Sequence, residues 1–304
     1  MPRKDSNPTF FDYSQRFLLN KIAHWASLAS PYQRHRLGSL LRFLAQDALK
    51  IRARYVQSTL QDCLDLSEHQ ALKLGRRVYT SFFENALEMA SMHLLTHDQL
   101  EGRLLPHGLH HLKNALSFGK GVILISGHYG LWELIPPWLV LNKIPVTVVV
   151  RRQNNILVDN WMENMRRKHG VQTTDSGFSL REILRTLRKG HCLGLMSDQD
   201  NGDRGVFVKF FGKWASAPVG PAQISMKTGA PLVPLMAHRS GGNQPHHFEI
   251  HSPIFPGQFS NSENGRQAMT QAYTDVLEQW IRNRPEQWLW LHRRWKTQPQ
   301  INLK

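Results

Sequence analysis

The sequence is poor in cysteine, short of acid and without any long apolar run, and each shortage removes a class of function. Only Cys63 and Cys192 occur in 304 residues, far apart and in no Cys-x-x-Cys, which excludes a disulfide framework and a zinc knuckle. A reducing compartment fits that usage. No stretch reaches the roughly 18 uninterrupted apolar residues of a membrane-spanning helix. Asp5, Asn7 and Asp12 interrupt the start of the chain and no apolar segment follows directly, so no signal peptide is expected. A Walker A loop and a Gly-x-Gly-x-x-Gly are missing, and Ser126 lies in no Gly-x-Ser-x-Gly elbow, which argues against a nucleotide site and a hydrolase nucleophile. His107, His110, His111, His246 and His247 show no three-ligand spacing, so neither a metal nor another cofactor is expected.

Positive charge is plentiful: 38 Lys+Arg against 23 Asp+Glu give a formal net charge of +15. Such an excess points to an anionic partner: an acidic lipid surface, a phosphorylated substrate or nucleic acid. No basic-aromatic nucleic-acid motif accompanies it, so nucleic acid is not the expected partner. The 41% of hydrophobic residues suffices for a sizeable core.

Residues 14–30 place Phe17, Leu18, Ile22, Trp25 and Leu28 near one helical face, and Pro31 ends the run. Residues 1–33 thus read as an interfacial helix lying in the membrane plane, or equally as a helix on the core. Residues 34–57 read as a basic helix, and Ser67-Glu68-His69-Gln70 is a capping box opening a helix toward residue 95. The 34–118 stretch is therefore expected to be mainly helical. At Gly119-Lys120-Gly121 the pattern changes. Apolar runs at Val122–Ile125, Pro145–Val150, Cys192–Ser197 and Pro231–Met236 read as buried strands, with a further one at His247–His251. Helical segments near 131–143, 156–168, 179–189 and 219–229 lie between them, and 262–283 closes the chain. The expected fold is α/β, a mostly parallel central sheet flanked by helices, with its core over 119–298 and a membrane-associating helical region before it.

The chemistry centres on Gly127-His128-Tyr129-Gly130-Leu131-Trp132-Glu133. His128 follows a strand in a fold whose ligands gather at strand carboxyl ends. Gly127 and Gly130 leave room for a substrate to approach the backbone. Residues five apart share no helical face, so Glu133 reaches His128 only if the histidine precedes the helix and bends over its first turn. A carboxylate on one ring nitrogen would leave the other free to take a proton from a hydroxyl. The spacing alone is weak, because His93 and Asp98 share it at a helix end without flanking glycines. Asp198-Gln199-Asp200 and Arg204 follow another strand and suit a pocket wall, with Arg204 placed for a phosphate or for Asp200.

Several further blocks stand in order: Arg151-Arg152, Asn154-Asn155 and Asp159 to Arg166; Asp198-Gln199-Asp200-x-Gly202-x-Arg204-Gly205-Val206-Phe207-Val208-x-Phe210-Phe211-Gly212; Gly220-Pro221-Ala222, Thr228-Gly229-Ala230 and Val233-Pro234; and Pro285-Glu286-Gln287-Trp288-x-Trp290-Leu291-His292-Arg293-Arg294-Trp295-Lys296-Thr297. With the His128 block they span roughly residues 127–297, and in this order they resemble the lipid A late acyltransferases of Gram-negative bacteria. The resemblance implies an O-acyltransferase with His128 as general base and Glu133 as its partner. It implies Arg166 in substrate binding, with Asp198, Asp200, Arg204 and Gly130 about the same site. The implied donor is an acyl thioester on acyl carrier protein or coenzyme A, and the implied acceptor a hydroxyl of a lipid A precursor. The implied location is the cytoplasmic face of the inner membrane, where an anionic bilayer gives the positive charge a purpose. Another glycolipid or lysolipid as acceptor, transfer to water as in a thioesterase, and a basic membrane-binding protein without catalysis are the rival readings.

Overall fold

Gly121 fixes where the central strand begins. It turns with φ +68 so close to the last turn of the helix Leu180–Arg188 that a Cβ would lie 2.7 Å from the Leu187 carbonyl oxygen. The computed structural model describes residues 8–175, 180–242 and 244–300. Helices α1 (Phe10–Leu28), α2 (Pro31–Arg42), α3 (Ala53–Leu64), α4 (Glu68–Ser91) and α5 (His97–Glu101) precede the first strand. Then follow β1 (Leu104–His107), α6 (Leu109–Ser117), β2 (Val122–Ser126), α7 (Ile135–Leu141), β3 (Val146–Val150), α8 (Ile156–Lys168) and β4 (Gln172–Asp175). The chain continues through α9 (Leu180–Arg188), β5 (Cys192–Met196), β6 (Val206–Phe210), β7 (Lys213–Ala217), α10 (Gly220–Thr228), β8 (Leu232–His238), β9 (His246–Ile250) and α11 (Glu263–Asn283). Residue 179, expected to open the helix before β5, lies outside the described residues.

Seven strands form one sheet in the order β1-β9-β8-β2-β5-β3-β4. All neighbours are parallel except β8 and β9. The fold is α/β with a mostly parallel sheet, as the sequence pattern indicates. Every residue of β2 is buried, and its side chains alternate between two cores. Ile123 and Ile125 join the cluster with α3, α4 and α11, whereas Val122 and Leu124 join the one with Leu139, Trp161 and Met165.

Four local expectations are corrected. The stretch 34–57 is not one helix: a π-helical segment, Phe43–Ala48, ends α2, and Lys50 and Arg52 take φ +52 and +54 before α3. The helix after His128 is split, because Pro136 and Pro137 lack the N–H an interior turn needs. A 3-10 turn at Trp132–Leu134 therefore precedes α7. Leu104–His107, inside the stretch expected to be mainly helical, supplies the edge strand β1. Helix α1 starts earlier than the apolar pattern suggested, because Thr9 and Asp12 form a capping box.

Among the described residues no helix is long and apolar enough to cross a membrane. Helix α1 buries only Ala23 and Ala26. Phe10, Phe11, Tyr13, Phe17, Leu18 and Leu28 stand exposed along it, Phe10 at 89%.

Candidate active site

Register brings the site together. Ser126 of β2 pairs with Met196 of β5, and the ladder continues as the Ser197 N–H donates to the Ser126 carbonyl at 2.9 Å. His128 and Asp198 each stand two positions past that pair, so they meet across the carboxyl ends of adjacent strands. The backbone N–H of His128 donates to Asp198 Oδ2 at 2.7 Å, and its Nδ1 lies 2.9 Å from Oδ1. The indole N–H of Trp288 donates to Oδ2 at 2.9 Å. Gly127 makes room for this carboxylate: a Cβ there would lie 3.1 Å from Asp198 Cβ and Cγ.

Asp198 is deeply buried, which alone would raise its pKa. The charge and hydrogen bonds of His128, with Trp288, hold it well below the usual carboxylate range. Burial likewise opposes the His128 imidazolium, but the charge and hydrogen bond of Asp198, followed by the charge of Glu133, keep its pKa above the ordinary value. An ionised partner at Nδ1 assigns the ring proton there and leaves Nε2 as the acceptor.

Glu133 is not the carboxylate on the imidazole. It sits on the 3-10 turn and takes Arg166 of α8 in a bidentate pair, Nε to Oε2 at 3.1 Å and Nη2 to Oε1 at 2.6 Å. The non-helical stretch from Tyr129 to Leu131 lets the two side chains diverge: His128 turns to β5 and Glu133 to α8. Its charge still acts on the ring through space.

Gly130 also has a role other than the one expected. What approaches its backbone is not a substrate but strand β8. Gly130 has φ +53, and a Cβ would stand 2.1 Å from the Ala237 carbonyl oxygen. Its N–H donates to the Gln287 carbonyl at 2.8 Å.

Asp200 and Arg204 are not brought onto the cavity beside His128. Asp200 accepts from the Thr297 hydroxyl at 2.9 Å and from the Gly202 N–H at 3.3 Å, which ties the chain end to the loop after β5. Arg204 is exposed on the turn Gly202–Arg204 and forms no ion pair among the described residues.

That cavity has a volume of about 330 Å³, within the usual range for a small-ligand site. Leu124, Val146, Val148, Val149, Gly194, Leu195 and Leu235 give it aliphatic walls from four adjacent strands. His128, Glu133, Arg151 and Arg166 are its titratable lining. An imidazole with its Nε2 free to accept and a guanidinium cation thus face one apolar chamber, an arrangement suited to a substrate that carries a long apolar chain and a reacting polar group.

The segment after α11 braces the loop. The Leu289 N–H donates to the His128 carbonyl at 3.0 Å, and Tyr129 and Trp288 form an antiparallel bridge. Trp288 is the residue that sequence reasoning missed. Its block helps carry the family resemblance, but nothing local in it announces a bond to a carboxylate 90 positions earlier. Asp198 was placed near the site, not on the imidazole.

The sequence matches the family described as bacterial lipid A biosynthesis acyltransferase over residues 11–297. It is similar to the lipid A biosynthesis lauroyltransferase of Escherichia coli (strain K12), 26% identical over 280 residues, covering 91% of this chain and 90% of that protein. It is also similar to the phosphatidylinositol mannoside acyltransferase of Mycolicibacterium smegmatis, 28% identical over 221 residues, covering 71% and 69%. Among solved structures, the 1-acyl-sn-glycerophosphate acyltransferase of Thermotoga maritima aligns with a TM-score of 0.39 and 15% identity, covering 85% of this chain and 99% of that one. The chain belongs to the bacterial lipid A biosynthesis acyltransferase family and is an acyltransferase.

Proposed function

We propose that the chain transfers a fatty acyl group from a thioester, on acyl carrier protein or coenzyme A, to a hydroxyl of a lipid A precursor. The observation that carries this reading is the imidazole of His128, fixed at Nδ1 by a buried carboxylate, on the wall of a largely aliphatic cavity. In the proposed step Nε2 takes the acceptor hydroxyl proton as that oxygen attacks the thioester carbonyl. A carbon–oxygen bond forms, the carbon–sulfur bond breaks, and the proton leaves with the thiol. Asp198 orients the ring and stabilises the transient imidazolium. Arg166, aligned by Glu133, offers its charge to the acceptor or to the developing oxyanion. The aliphatic walls take the acyl chain.

The exposed aromatics of α1, with Lys21 and Arg36 exposed nearby, suit a helix lying on the anionic cytoplasmic face of the inner membrane, where acceptor and donor meet. The similarity to a mannoside acyltransferase keeps a second glycolipid acceptor in view.

Mass spectrometry of lipid A from cells with and without the chain tests the reading. A mass difference of one acyl chain that disappears with His128→Ala is expected. An unchanged lipid A, or transfer retained by the folded variant, refutes it.

A further inference from the structure

A second cavity, of about 400 Å³, lies between the junction of α1 and α2, α4, α5 and the start of β9. Arg34, Arg103 and Arg239 all reach it, with Glu88, Asp98 and His246. The central carboxylate is Glu88. It accepts from Arg239 Nη1 at 2.6 Å and Arg103 Nη1 at 3.1 Å, and His246 Nε2 lies 2.7 Å away. Arg239 also donates to Asn85 Oδ1, through Nε at 3.1 Å and Nη2 at 2.8 Å.

Arg34 is left over. It is 7% exposed, its Nη1 reaches only the Ala26 carbonyl at 3.3 Å, and its buried Nε has no partner among the described residues. Three guanidinium groups share Glu88 and the more distant Glu84, which lies 3.8 Å from Arg239 Nε and 2.6 Å from His35. Asp98 also lines the cavity, but it stands exposed on α5, where water screens it. A buried guanidinium with an idle donor is costly unless an anion completes its shell.

We propose that this cavity is a phosphate-binding site, with Arg34 and Arg103 as its principal donors. Planar guanidinium forks match phosphate oxygens, and three of them arriving from α2, the residue after β8 and the loop before β1 suit a tetrahedral anion better than a flat carboxylate. The cavity exceeds a bare phosphate, so a phosphate carried on a sugar or lipid headgroup fits as well as the free ion. The place favours the former. Leu28 and Tyr32, at the α1–α2 junction, are exposed apolar residues beside it. Asn85, which holds Arg239, also lines the narrow crevice at His128 and Trp132. Glu88 follows Asn85 by three residues of helix, about 4.5 Å along α4. The phosphate site is therefore next to the proposed acyl-transfer site and distinct from it. Its assignment to the acceptor's phosphate rests on the acyl-transfer reading. Phosphate binding itself does not.

The test uses the full chain and titrates inorganic phosphate at constant ionic strength, read by calorimetry and by the melting temperature. The wild type is expected to show saturable binding, which Arg34→Gln and Arg103→Gln weaken about tenfold or more. Arg103 is partly exposed, so its variant keeps the fold even where Arg34→Gln does not. Absence of saturable binding in the wild type, or equal binding in a folded Arg103→Gln, overturns the proposal. A second arm compares phosphorylated with dephosphorylated acceptor in the transfer assay. If Arg103→Gln erases a preference for the phosphorylated acceptor, the site holds the acceptor's phosphate. If phosphate binding is lost and no preference changes, the ligand is free phosphate. Loss of turnover leaves the first arm readable, so failure of the acyl-transfer reading is separable from failure of this one.

Discussion

The loop after β2 and the helix α1 are opposites in how they use apolar surface. Around His128 nearly every neighbour is packed: Tyr129 and Leu131 are buried, β2 is buried throughout, and Gly130 touches β8 backbone. Along α1 only two alanines are fully buried and Leu19 and Ile22 pack against the core, while Phe10, Phe11, Tyr13, Phe17, Leu18 and Leu28 face out. Both segments are rich in apolar residues, so composition does not separate them. The difference lies in what each surface meets. The loop must hold one histidine in one orientation, and close packing with hydrogen bonds to Asp198, Gln287, Ala237 and Leu289 does that. Helix α1 keeps its aromatic face for something outside the chain, which the proposed membrane contact supplies.

The largest expected effect breaks the packed side of this contrast. Gly130→Val combines a positive φ with a direct clash against the Ala237 carbonyl and is expected to cost about 3 kcal/mol or more in urea unfolding. Phe17→Ser, at an exposed position of α1, is expected to change stability by less than about 0.5 kcal/mol in the same measurement. Equal losses at the two positions would erase the distinction.

The converse experiment concerns vesicles of anionic phospholipid. Replacing Phe10, Phe11, Phe17 and Leu18 together by serine is expected to weaken co-sedimentation at least about tenfold while circular dichroism stays unchanged. Added salt should weaken the wild type further by screening its basic residues. Unaltered binding would return α1 to an ordinary surface helix.

A smaller effect appears in the pH profile of transfer. The proposed base must be neutral to accept a proton, and Asp198 holds the His128 imidazolium pKa above its ordinary value of 6.5. The acid limb of the rate profile is therefore expected above pH 6.5, with the rate rising as pH increases through it. A limb below that value would mean that burial outweighs the carboxylate.

The same contrast explains what could be read from the sequence. Strands β2, β3, β5 and β8 announce themselves as apolar runs because both faces of a central strand are covered. Strand β4, Gln172–Asp175, lies at the sheet edge and is polar, so no such run marks it. The hairpin of β6 and β7 turns through Phe211 and Gly212 with φ +53 and +70, and a phenylalanine there disguises the turn. His128 was legible from its strand end and glycines. Its partner was not, because a search for nearby acids finds Glu133, whereas pairing is decided by the register of β2 on β5. Once that register is known, Asp198 is the residue opposite His128. The idle Nε of Arg34 has no sequence signal at all, since arginine is ordinary in a basic helix.

Asp198, and not Glu133, holds the imidazole of the proposed base, and rate–pH profiles of Asp198→Asn and Glu133→Gln distinguish the two carboxylates. Asp198→Asn is expected to lower kcat about a hundredfold or more and to move the acid limb to lower pH, because the carboxylate that stabilises the imidazolium is gone. Glu133→Gln is expected to leave the limb nearly in place and to raise the acceptor KM by loosening Arg166. A limb that moves strongly with Glu133→Gln and stays with Asp198→Asn would contradict the account.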